Sequence, residues 1–407
     1  MAFSFDRAVI LQRERRRTKR RSKGIREICT IHEPSREIPF DLVNEILMRL
    51  PAKSLMRFKS VSKLWSSLIC SKHFSNRLLK LSSPPRLYMY LSFSDKSQLN
   101  ERLLSLSPAD SDITMSSFVI DQDLTIPAMR GYYLSHVFRG LMCFVNQPSA
   151  QIYNTSTRQL VVLPDIEESN MIAEDHKNRK IMYRIGQDTV YDQYKVVCTV
   201  ARSSDEVGEY TFLSEHWVLP LGGDGSSRWR KIQSPCPPHL PLTQAFNING
   251  RMHYLAWIRV SVKCVLVSFD INSEEFSIVQ VPEDIFWAKT GFIEYDGKVA
   301  LLHYTYLEKE GVMELWVVED AEKNMWSSKT LVVHPAQMRM IDSISLNVLG
   351  TTRNGQVILA PEDTNLFNIF LYDLQKNHIR KIEIKGAPEC KICKVVGLDD
   401  VDNLMHF

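Results

Sequence analysis

Residues 249–257 read NGRMHYLAW, a polar two-residue turn followed by a largely apolar, strand-like run. The same arrangement returns at residues 296–304, DGKVALLHY, and at residues 354–360, NGQVILA. Asn-Gly and Asp-Gly are the strongest short signals for a β-hairpin, because both central residues of a type I′ turn need a positive φ. Arg139-Gly140 before LMCFV is a looser fourth copy. These turns predict short strands that recur along the chain.

A second landmark also recurs: a strand ends in Asp or Asn, a polar turn follows, and a large apolar residue restarts a strand. The copies are YNTSTRQLVVLP, GGDGSSRWRKI, FDINSEEFSIVQVP, VEDAEKNMWSSKTLV and YDLQKNHIRKIEI. The restarting residues are Leu160, Trp229, Phe276, Trp326 and Ile379, at spacings of 69, 47, 50 and 53. A period of about 50 residues with four short strands per unit is typical of a kelch-like β-propeller.

Five such units are visible in the sequence. The strands RLYMYLSF and RLLSLS near residues 86–106 would supply a sixth, and the last strand near residues 393–398 could pair with them and close the ring. Closure would remove the open sheet edges that invite aggregation. The glycines of the four turns are spaced by 110, 47 and 58 residues, so one copy of the turn has lost its signal. A β-sandwich array with accidental spacing is the alternative.

Residues 36–75 have a different, helical periodicity. Val43, Ile46, Leu47 and Leu50 fall on one helix face, with Asp41 as N-cap and Pro51 as the end of the helix. A second short helix carries Leu55 and Phe58, and a third, capped by Ser62, carries Leu64, Trp65, Leu68 and Ile69. Three short helices cannot enclose much apolar surface by themselves. This segment therefore needs a further surface to pack against, either the rest of the chain or another protein.

Composition and charge narrow the class of protein. Of the 407 residues 44% are hydrophobic and 24% charged, which is ordinary globular usage. Residues 1–36 hold 11 Lys/Arg and 4 Asp/Glu, whereas the remainder is mildly acidic and is not built to bind polyphosphate. We expect residues 1–35 to be a disordered basic tail, with a nuclear-import or nucleic-acid-binding patch as the alternative. No signal peptide or apolar membrane span is expected, and the eight cysteines are expected to be free thiols in a reducing compartment.

Other chemical motifs are weak. Cys390 and Cys393 have the spacing of half a zinc site, but a structural zinc needs four ligands and no second cysteine pair exists. The Gly222-Gly223-Asp224-Gly225 turn is not followed by a helix pattern, which a phosphate cradle needs. Neither a nucleophile elbow nor a His-Glu-x-x-His motif is present. We therefore predict no cofactor and no catalytic residue, and a propeller enzyme with a polar or metal site on its axis stays a lesser alternative.

The helical segment resembles an F-box. The family pattern reads here as Ile38-Pro39, Asp41-Leu42, Ile46-Leu47, Leu50-Pro51, Leu55, Phe58, Val61-Ser62-Lys63 and Trp65. Ile38 replaces the usual Leu and Ser62 the usual Cys, and both changes leave the helical face intact. The region from residue 86 onward resembles the F-box-associated domain of plant F-box proteins, in motifs similar to residues 152–158 followed by Leu163-Pro164, and to Asn249-Gly250 with His253-Tyr254. The usual Asn-Pro of the first motif is Asn154-Thr155 here.

The resemblance implies a mainly β protein with a small α-helical N-terminal domain: a three-helix F-box at 36–80, then a kelch-like β-propeller at 86–407, of six blades. It also implies a substrate-recognition subunit of an SCF-type E3 ubiquitin ligase, which is not itself an enzyme. The F-box would dock on the Skp-family adaptor, and through it on cullin and RING subunits, while the propeller binds a target protein. The residues expected to contact the adaptor are Pro39, Leu42, Ile46, Leu47, Leu50, Pro51, Leu55 and Trp65, although some of them could instead hold the helices together.

The expected location is the nucleus, the cytoplasm or both, with no membrane contact. A nucleic-acid-binding factor that acts through the basic tail is the alternative function, although nucleic acid is an unlikely partner for the acidic body.

Overall fold

The computed structural model describes residues 38–404 with short gaps. The gaps are residues 81–86, 96–97, 109–116, 125–130, 174–178, 205–210, 223–227, 259–263, 284, 286–288, 353, 363–367, 387–391 and 400–402. The chain divides into two compact units, Met1–Ser83 and Pro84–Phe407. The basic tail and the Cys390/Cys393 pair lie outside the described residues or have no described side chains. In the part of the chain that is described, no helix is long and apolar enough to cross a membrane.

The described part of the first unit, residues 38–80, is called the helical unit below. It contains α1 (Phe40–Met48), α2 (Ala52–Phe58), α3 (Lys63–Ile69) and α4 (Lys72–Lys80). Ser62 caps α3 as predicted, because its Oγ accepts a hydrogen bond from the Trp65 N–H at 3.2 Å. The prediction of Asp41 as N-cap is wrong: Pro39 is the N-cap, so α1 begins two residues earlier than predicted and Asp41 lies in its first turn.

The fourth helix was not predicted. Ser71 Oγ accepts a hydrogen bond from the Phe74 N–H at 3.2 Å at its start. Its Phe74 and Leu78, four residues apart, are buried, and both α1 and α3 pack against α4. The three predicted helices therefore obtain part of their missing cover from a fourth helix of the same unit.

The second unit is called the propeller below and is built almost entirely of strands. They are β1 (Leu87–Asp95), β2 (Gln98–Pro108), β3 (Ser117–Asp123), β4 (Tyr133–Phe138), β5 (Leu141–Asn146), β6 (Ser149–Asn154), β7 (Leu160–Val162), β8 (Arg179–Asp188), β9 (Gln193–Ser204), β10 (Thr211–Leu221), β11 (Arg230–Lys231), β12 (Leu240–Pro241), β13 (Phe246–Ile248), β14 (Arg251–Trp257), β15 (Cys264–Asp270), β16 (Phe276–Gln280), β17 (Thr290–Tyr295), β18 (Lys298–His303), β19 (Val312–Asp320), β20 (Met325–Val332), β21 (Leu346–Thr351), β22 (Gln356–Pro361), β23 (Asn368–Asp373), β24 (His378–Lys385) and β25 (Ile392–Asp399). Three short helices interrupt them: α5 (Asn170–Ala173), α6 (Leu307–Glu310) and α7 (Pro335–Ile341).

The strands form antiparallel sheets in sequence order. Four sheets hold β4–β7, β8–β11, β12–β16 and β17–β20, and an eight-stranded sheet has the order β21-β22-β23-β24-β3-β2-β1-β25. In that last sheet β24 and β3 pair in parallel, and this pair separates two groups of four strands. Divided there, the described sheets make six units of four or five strands. The mainly β fold with an N-terminal helical domain is confirmed, and the count of six blades stays a prediction.

Successive groups of strands contact one another in a ring. β4 contacts β8, β8 contacts β12, β13 contacts β17, β17 contacts β21, β21 contacts β25 and β25 contacts β4. The ring closes because β25, the last strand of the chain, pairs antiparallel with β1. The buried core lies between neighbouring sheets, as in the cluster that joins Cys143 and Ile152 of one sheet to Tyr183 and Trp217 of the next.

Three of the predicted turn dipeptides connect β4 to β5, β13 to β14 and β17 to β18. Arg139-Gly140, Asn249-Gly250 and Asp296-Gly297 all have positive φ at both residues, as a type I′ turn requires. The copy that has lost its signal is the β8–β9 connection, where Asp188 Oδ1 accepts hydrogen bonds from the N–H groups of Val190 and Tyr191, each at 3.0 Å. An aspartate side chain thus shapes this turn.

The second landmark is the turn before the last strand of a unit. Its Asn or Asp accepts backbone N–H bonds from the residues two and three positions on, at Asn154, Asp270, Asp320 and Asp373. The residue four positions after each has a positive φ: Arg158, Glu274, Asn324 and Asn377. Because two of these four are not asparagine or glycine, the sequence pattern does not reveal the left-handed position.

Candidate protein-binding site on the helical unit

The helical unit exposes large apolar side chains at high density. Of the fifteen large hydrophobic residues that are exposed in the described chain, six lie between residues 38 and 64. Four are at the start of α1 and along it, and two lie at the α2–α3 turn and the start of α3. These six are called the apolar surface below: Ile38, Phe40, Leu42, Ile46, Val61 and Leu64.

Helix α1 is apolar on two sides, and only one of them is covered. Val43 and Leu47, four residues apart, are buried, with 7% and 1% of their surface exposed. Leu42 and Ile46, also four residues apart, are 54% and 52% exposed. Residues at i and i+4 lie on the same side of a helix. The first pair therefore anchors α1 in its own unit, and the second pair faces solvent.

The eight residues predicted to contact the adaptor divide into three groups. Pro39, Leu42, Ile46 and Pro51 are exposed, and Leu50 and Trp65 are half-buried. Leu47 and Leu55 are buried, with 1% and 0% of their surface exposed, so no partner reaches them while the helices stay packed. These two side chains instead contribute to holding the helices together.

Trp65 has a structural contact of its own. Its ring meets the ring of Phe58 edge to face, with 5.3 Å between centroids. An aromatic pair of this kind contributes about 0.5–1.5 kcal/mol beyond the area that it buries. Trp65 therefore joins α3 to α2 while part of its surface remains accessible.

Four exposed residues were not among the predicted contacts: Ile38, Phe40, Val61 and Leu64. Ile38, Val61 and Leu64 belong to the motif or the helical pattern, and Phe40 follows Pro39 directly. Their apolar character was visible in the sequence, but their exposure was not. Nothing in an apolar helical pattern tells which apolar residues meet each other and which meet solvent.

The propeller holds a histidine and cysteine cluster that the sequence analysis missed. Side-chain ligand atoms of His216, Cys236 and His239 lie within 4.8 Å of one another. The two imidazole rings are stacked, with 4.9 Å between centroids and 20° between planes. Burial lowers the pKa of His239 to about 4 and the pKa of His216 well below its usual value. Both rings are therefore neutral at pH 7.

The ring nitrogens of this cluster are already engaged. His239 bonds the Pro237 carbonyl at 2.9 Å and the Tyr254 hydroxyl at 2.8 Å. His216 has Thr199 and Ser214 hydroxyls at 3.2 and 3.3 Å. The cluster offers three of the four ligands that a structural zinc needs, and we assign no metal to it.

A buried cation lies close to the same cluster. The Arg184 guanidinium lies 3.9 Å from the centroid of the Tyr254 ring, and its NH1 donates to the Thr199 hydroxyl at 3.1 Å. Burial lowers the pKa of Arg184. Its charge also lowers the pKa of His239. A neighbouring positive charge makes the cluster a poor place for a metal cation.

Comparison with known families identifies both units. Residues 36–77 match the family described as the F-box domain. Residues 86–407 match the family described as the F-box associated beta propeller domain. The chain is a plant F-box protein. Chains with this pair of domains are typical substrate receptors of SCF ubiquitin ligases, so the apolar surface belongs to the domain that implies binding to a Skp-like adaptor.

Similar proteins agree with this assignment. An F-box protein of Arabidopsis thaliana is 71% identical to this F-box protein over 414 residues that cover all of both chains. An F-box/kelch-repeat protein of the same plant is 63% identical over 434 residues, again with full coverage of both. Among solved structures, the β-propeller domain of the Pyrococcus furiosus trilobed protease has 12% identity and a TM-score of 0.33, covering 62% of this chain and 71% of that one. Similarity at this level adds nothing to the assignment.

Proposed function

We propose that this chain is the substrate-recognition subunit of an SCF-type E3 ubiquitin ligase, in which the helical unit docks on a Skp-family adaptor and the propeller binds a target protein. The observation that carries the proposal is the uncovered side of α1. Leu42 and Ile46 face solvent although Val43 and Leu47 already anchor the helix. Burying a Leu or Ile side chain contributes about 1.5–3 kcal/mol relative to leaving it exposed, so a partner that covers both gains substantial binding energy.

The contact set of the proposal follows from exposure. It keeps Pro39, Leu42, Ile46, Leu50, Pro51 and Trp65 and adds the exposed residues Ile38, Phe40, Val61 and Leu64. It assigns Leu47 and Leu55 to the support of the helices, because their side chains are buried. Binding energy in such interfaces is concentrated in a few apolar and aromatic anchors, and Leu42 and Ile46 are the residues we expect to dominate.

The mechanism of the proposal is proximity, and this chain makes or breaks no bond. One unit holds the adaptor and, through it, the cullin and RING subunits, while the other holds the target. Linking two binding modules raises the effective concentration of the target near the ubiquitin-loaded enzyme. A closed ring of strands is suited to binding the target, because a rigid scaffold can present variable loops. The location, nucleus or cytoplasm, stays a prediction.

The docking step is tested by pull-down with a plant Skp adaptor. The double variant Leu42→Ala with Pro51→Ala should lose adaptor binding, since one change removes an exposed anchor and the other the proline that precedes α2. Tryptophan fluorescence reports mainly on the propeller, because six of the seven tryptophans lie after residue 200. Since both substitutions lie in the helical unit, this fluorescence should stay as in the wild type. Unchanged pull-down would count against the proposed docking surface.

The receptor step is tested by trapping targets. The same double variant, expressed in plant cells, should accumulate target proteins that the wild type sends to degradation. A protein that is enriched on the variant, and whose half-life lengthens when the wild type is removed, is the expected result. Identical sets of bound proteins with identical half-lives would contradict the role as a receptor.

A further inference from the structure

The two units of the chain carry opposite charge. Residues 38–80 hold eight Lys/Arg and two Asp/Glu, whereas residues 84–407 hold 31 Lys/Arg and 40 Asp/Glu. The helical unit is therefore strongly basic and the propeller acidic. A net charge of +3 for the whole chain conceals this division.

One of the two acidic residues of the helical unit is already neutralised inside the unit. Glu45 pairs with Arg77, with 2.8 Å between Oε1 and NH2. Asp41 is the other acid, and no ion pair involves it in the described residues. Among residues 38–80, Asp41 is thus the one carboxylate that no ion pair neutralises.

The cations next to the apolar surface have no acidic partner within the described residues. Arg49 is exposed and lies three residues after Ile46, on the side of α1 that carries Leu42 and Ile46. Lys63 is exposed and directly precedes Leu64. The apolar surface has one part along α1 and another at the start of α3. Each part therefore has beside it an exposed cation that no acidic residue of the described chain neutralises. Lys53 and Arg57, one turn apart on α2, add two more exposed cations to the same unit.

We propose that the adaptor face that covers the apolar surface is acidic at its rim, and that Arg49 and Lys63 steer it to the helical unit. The inference rests on the proposed function, because it describes the partner of that same surface. Opposite charges at an interface rim accelerate encounter, whereas buried apolar anchors set the rate of dissociation. The acidic propeller repels such a partner, so the charge division also directs the partner to the correct unit.

The test separates the two rate constants. Association and dissociation of the full chain and a purified plant Skp adaptor are measured by surface plasmon resonance at 50, 150 and 300 mM NaCl. Exposed charges are screened over about 8 Å at 0.15 M salt, so the wild-type association rate should fall several-fold across this range. The double variant Arg49→Gln with Lys63→Gln should associate about 3- to 10-fold more slowly at 50 mM NaCl, with a dissociation rate within about twofold of wild type.

A matched control removes two charges elsewhere. Lys329 and Arg339 are exposed cations of the propeller that form no ion pair within the described residues. Lys329→Gln with Arg339→Gln changes the net charge by the same amount. This control should keep the wild-type association rate. The Arg49→Gln/Lys63→Gln double variant is called the rim variant below. Ile46→Ala should have the opposite effect and raise the dissociation rate, with little effect on association.

The outcomes distinguish this inference from the proposed function. Adaptor binding with an association rate that neither salt nor the rim variant changes would overturn the acidic rim and leave the docking proposal intact. Absence of adaptor binding by the wild type would overturn both. If a 20-nucleotide single-stranded DNA or RNA binds the wild type, competes with the adaptor and loses affinity in the rim variant, the cations serve nucleic acid and the inference is wrong.

Discussion

Replacing Asn403 with alanine should loosen the closure of the propeller. Asn403 follows the last strand and is fully buried. Its backbone N–H donates to Ser156 Oγ at 2.9 Å, and its side-chain Nδ2 donates to the Arg139 carbonyl at 2.8 Å and to the Tyr194 hydroxyl at 3.0 Å. These bonds fasten the end of the chain to two neighbouring sheets of the ring.

The magnitude follows from what the substitution leaves behind. Asn403→Ala keeps the backbone bond but removes both side-chain bonds. The Tyr194 side chain is 5% exposed, so water does not readily replace the lost donor. A buried polar group that loses its partner costs about 1–3 kcal/mol. Because Arg139 is exposed and its side chain also bonds the Tyr194 hydroxyl, we expect a total loss of about 1–3 kcal/mol. Asn403→Asp should cost more, because it places a carboxylate beside a carbonyl oxygen in a buried site.

Urea unfolding of the full chain, followed by tryptophan fluorescence, measures the effect. Six of the seven tryptophans belong to the propeller, so the transition reports mainly on that unit. The matched control is Gln375→Ala, an exposed turn residue, which should change the free energy of unfolding by no more than about 0.5 kcal/mol. A loss below about 0.5 kcal/mol for both Asn403 variants would refute the idea that this residue fastens the ring.

Three further outcomes are expected. Asn377→Ala should destabilise the propeller by about 1–2 kcal/mol in the same urea assay. Asn377 has a φ of 50°, and its Nδ2 donates to the Val332 carbonyl at 2.8 Å. An unchanged free energy of unfolding would show that this turn does not connect neighbouring sheets. Burial lowers the pKa of His136 and of His239 to about 4, so below pH 6.5 only the unfolded chain takes up their protons. Stability should then fall by up to about 1.4 kcal/mol per pH unit for each histidine between pH 6.5 and 4.5, and a urea midpoint that stays constant from pH 7 to 5 would contradict this. Ser62→Ala should remove the N-cap of α3 and destabilise this helix by about 1 kcal/mol. Amide hydrogen exchange in α3 should then be roughly fivefold faster, and unchanged exchange would show that the Ser62 cap does not stabilise α3.

The repeated turns made most of the propeller predictable. Asn249-Gly250 and Asp296-Gly297 need positive φ, and the structure shows it, so local chemistry alone locates the start of a strand. The β8–β9 turn could not be found this way, because Asp188 shapes it by accepting two backbone N–H bonds. The strand β3 was also missed, and it forms the parallel pair with β24. Pairing between distant segments leaves little trace in a local pattern.

The candidate site was only half predictable for a related reason. The sequence pattern puts Val43, Ile46, Leu47 and Leu50 on one face of α1. This prediction is wrong for Ile46, which is exposed beside Leu42 while Val43 and Leu47 are buried. Which side is buried depends on where the other helices pack, and α4 was not foreseen. The packing of α4 against α1 is a tertiary contact. It covers part of the helical unit while Leu42 and Ile46 stay exposed.

Titration calorimetry of the full chain with a purified plant Skp adaptor tests the docking surface most directly. Ile46→Ala should raise the dissociation constant about 30-fold, since truncating a central apolar anchor costs about 2 kcal/mol or more of binding free energy. Val162→Ala, which truncates a valine of the propeller that is 62% exposed, should leave the dissociation constant within about twofold of wild type. If Ile46→Ala binds the adaptor as tightly as Val162→Ala does, the exposed side of α1 is not where the adaptor docks.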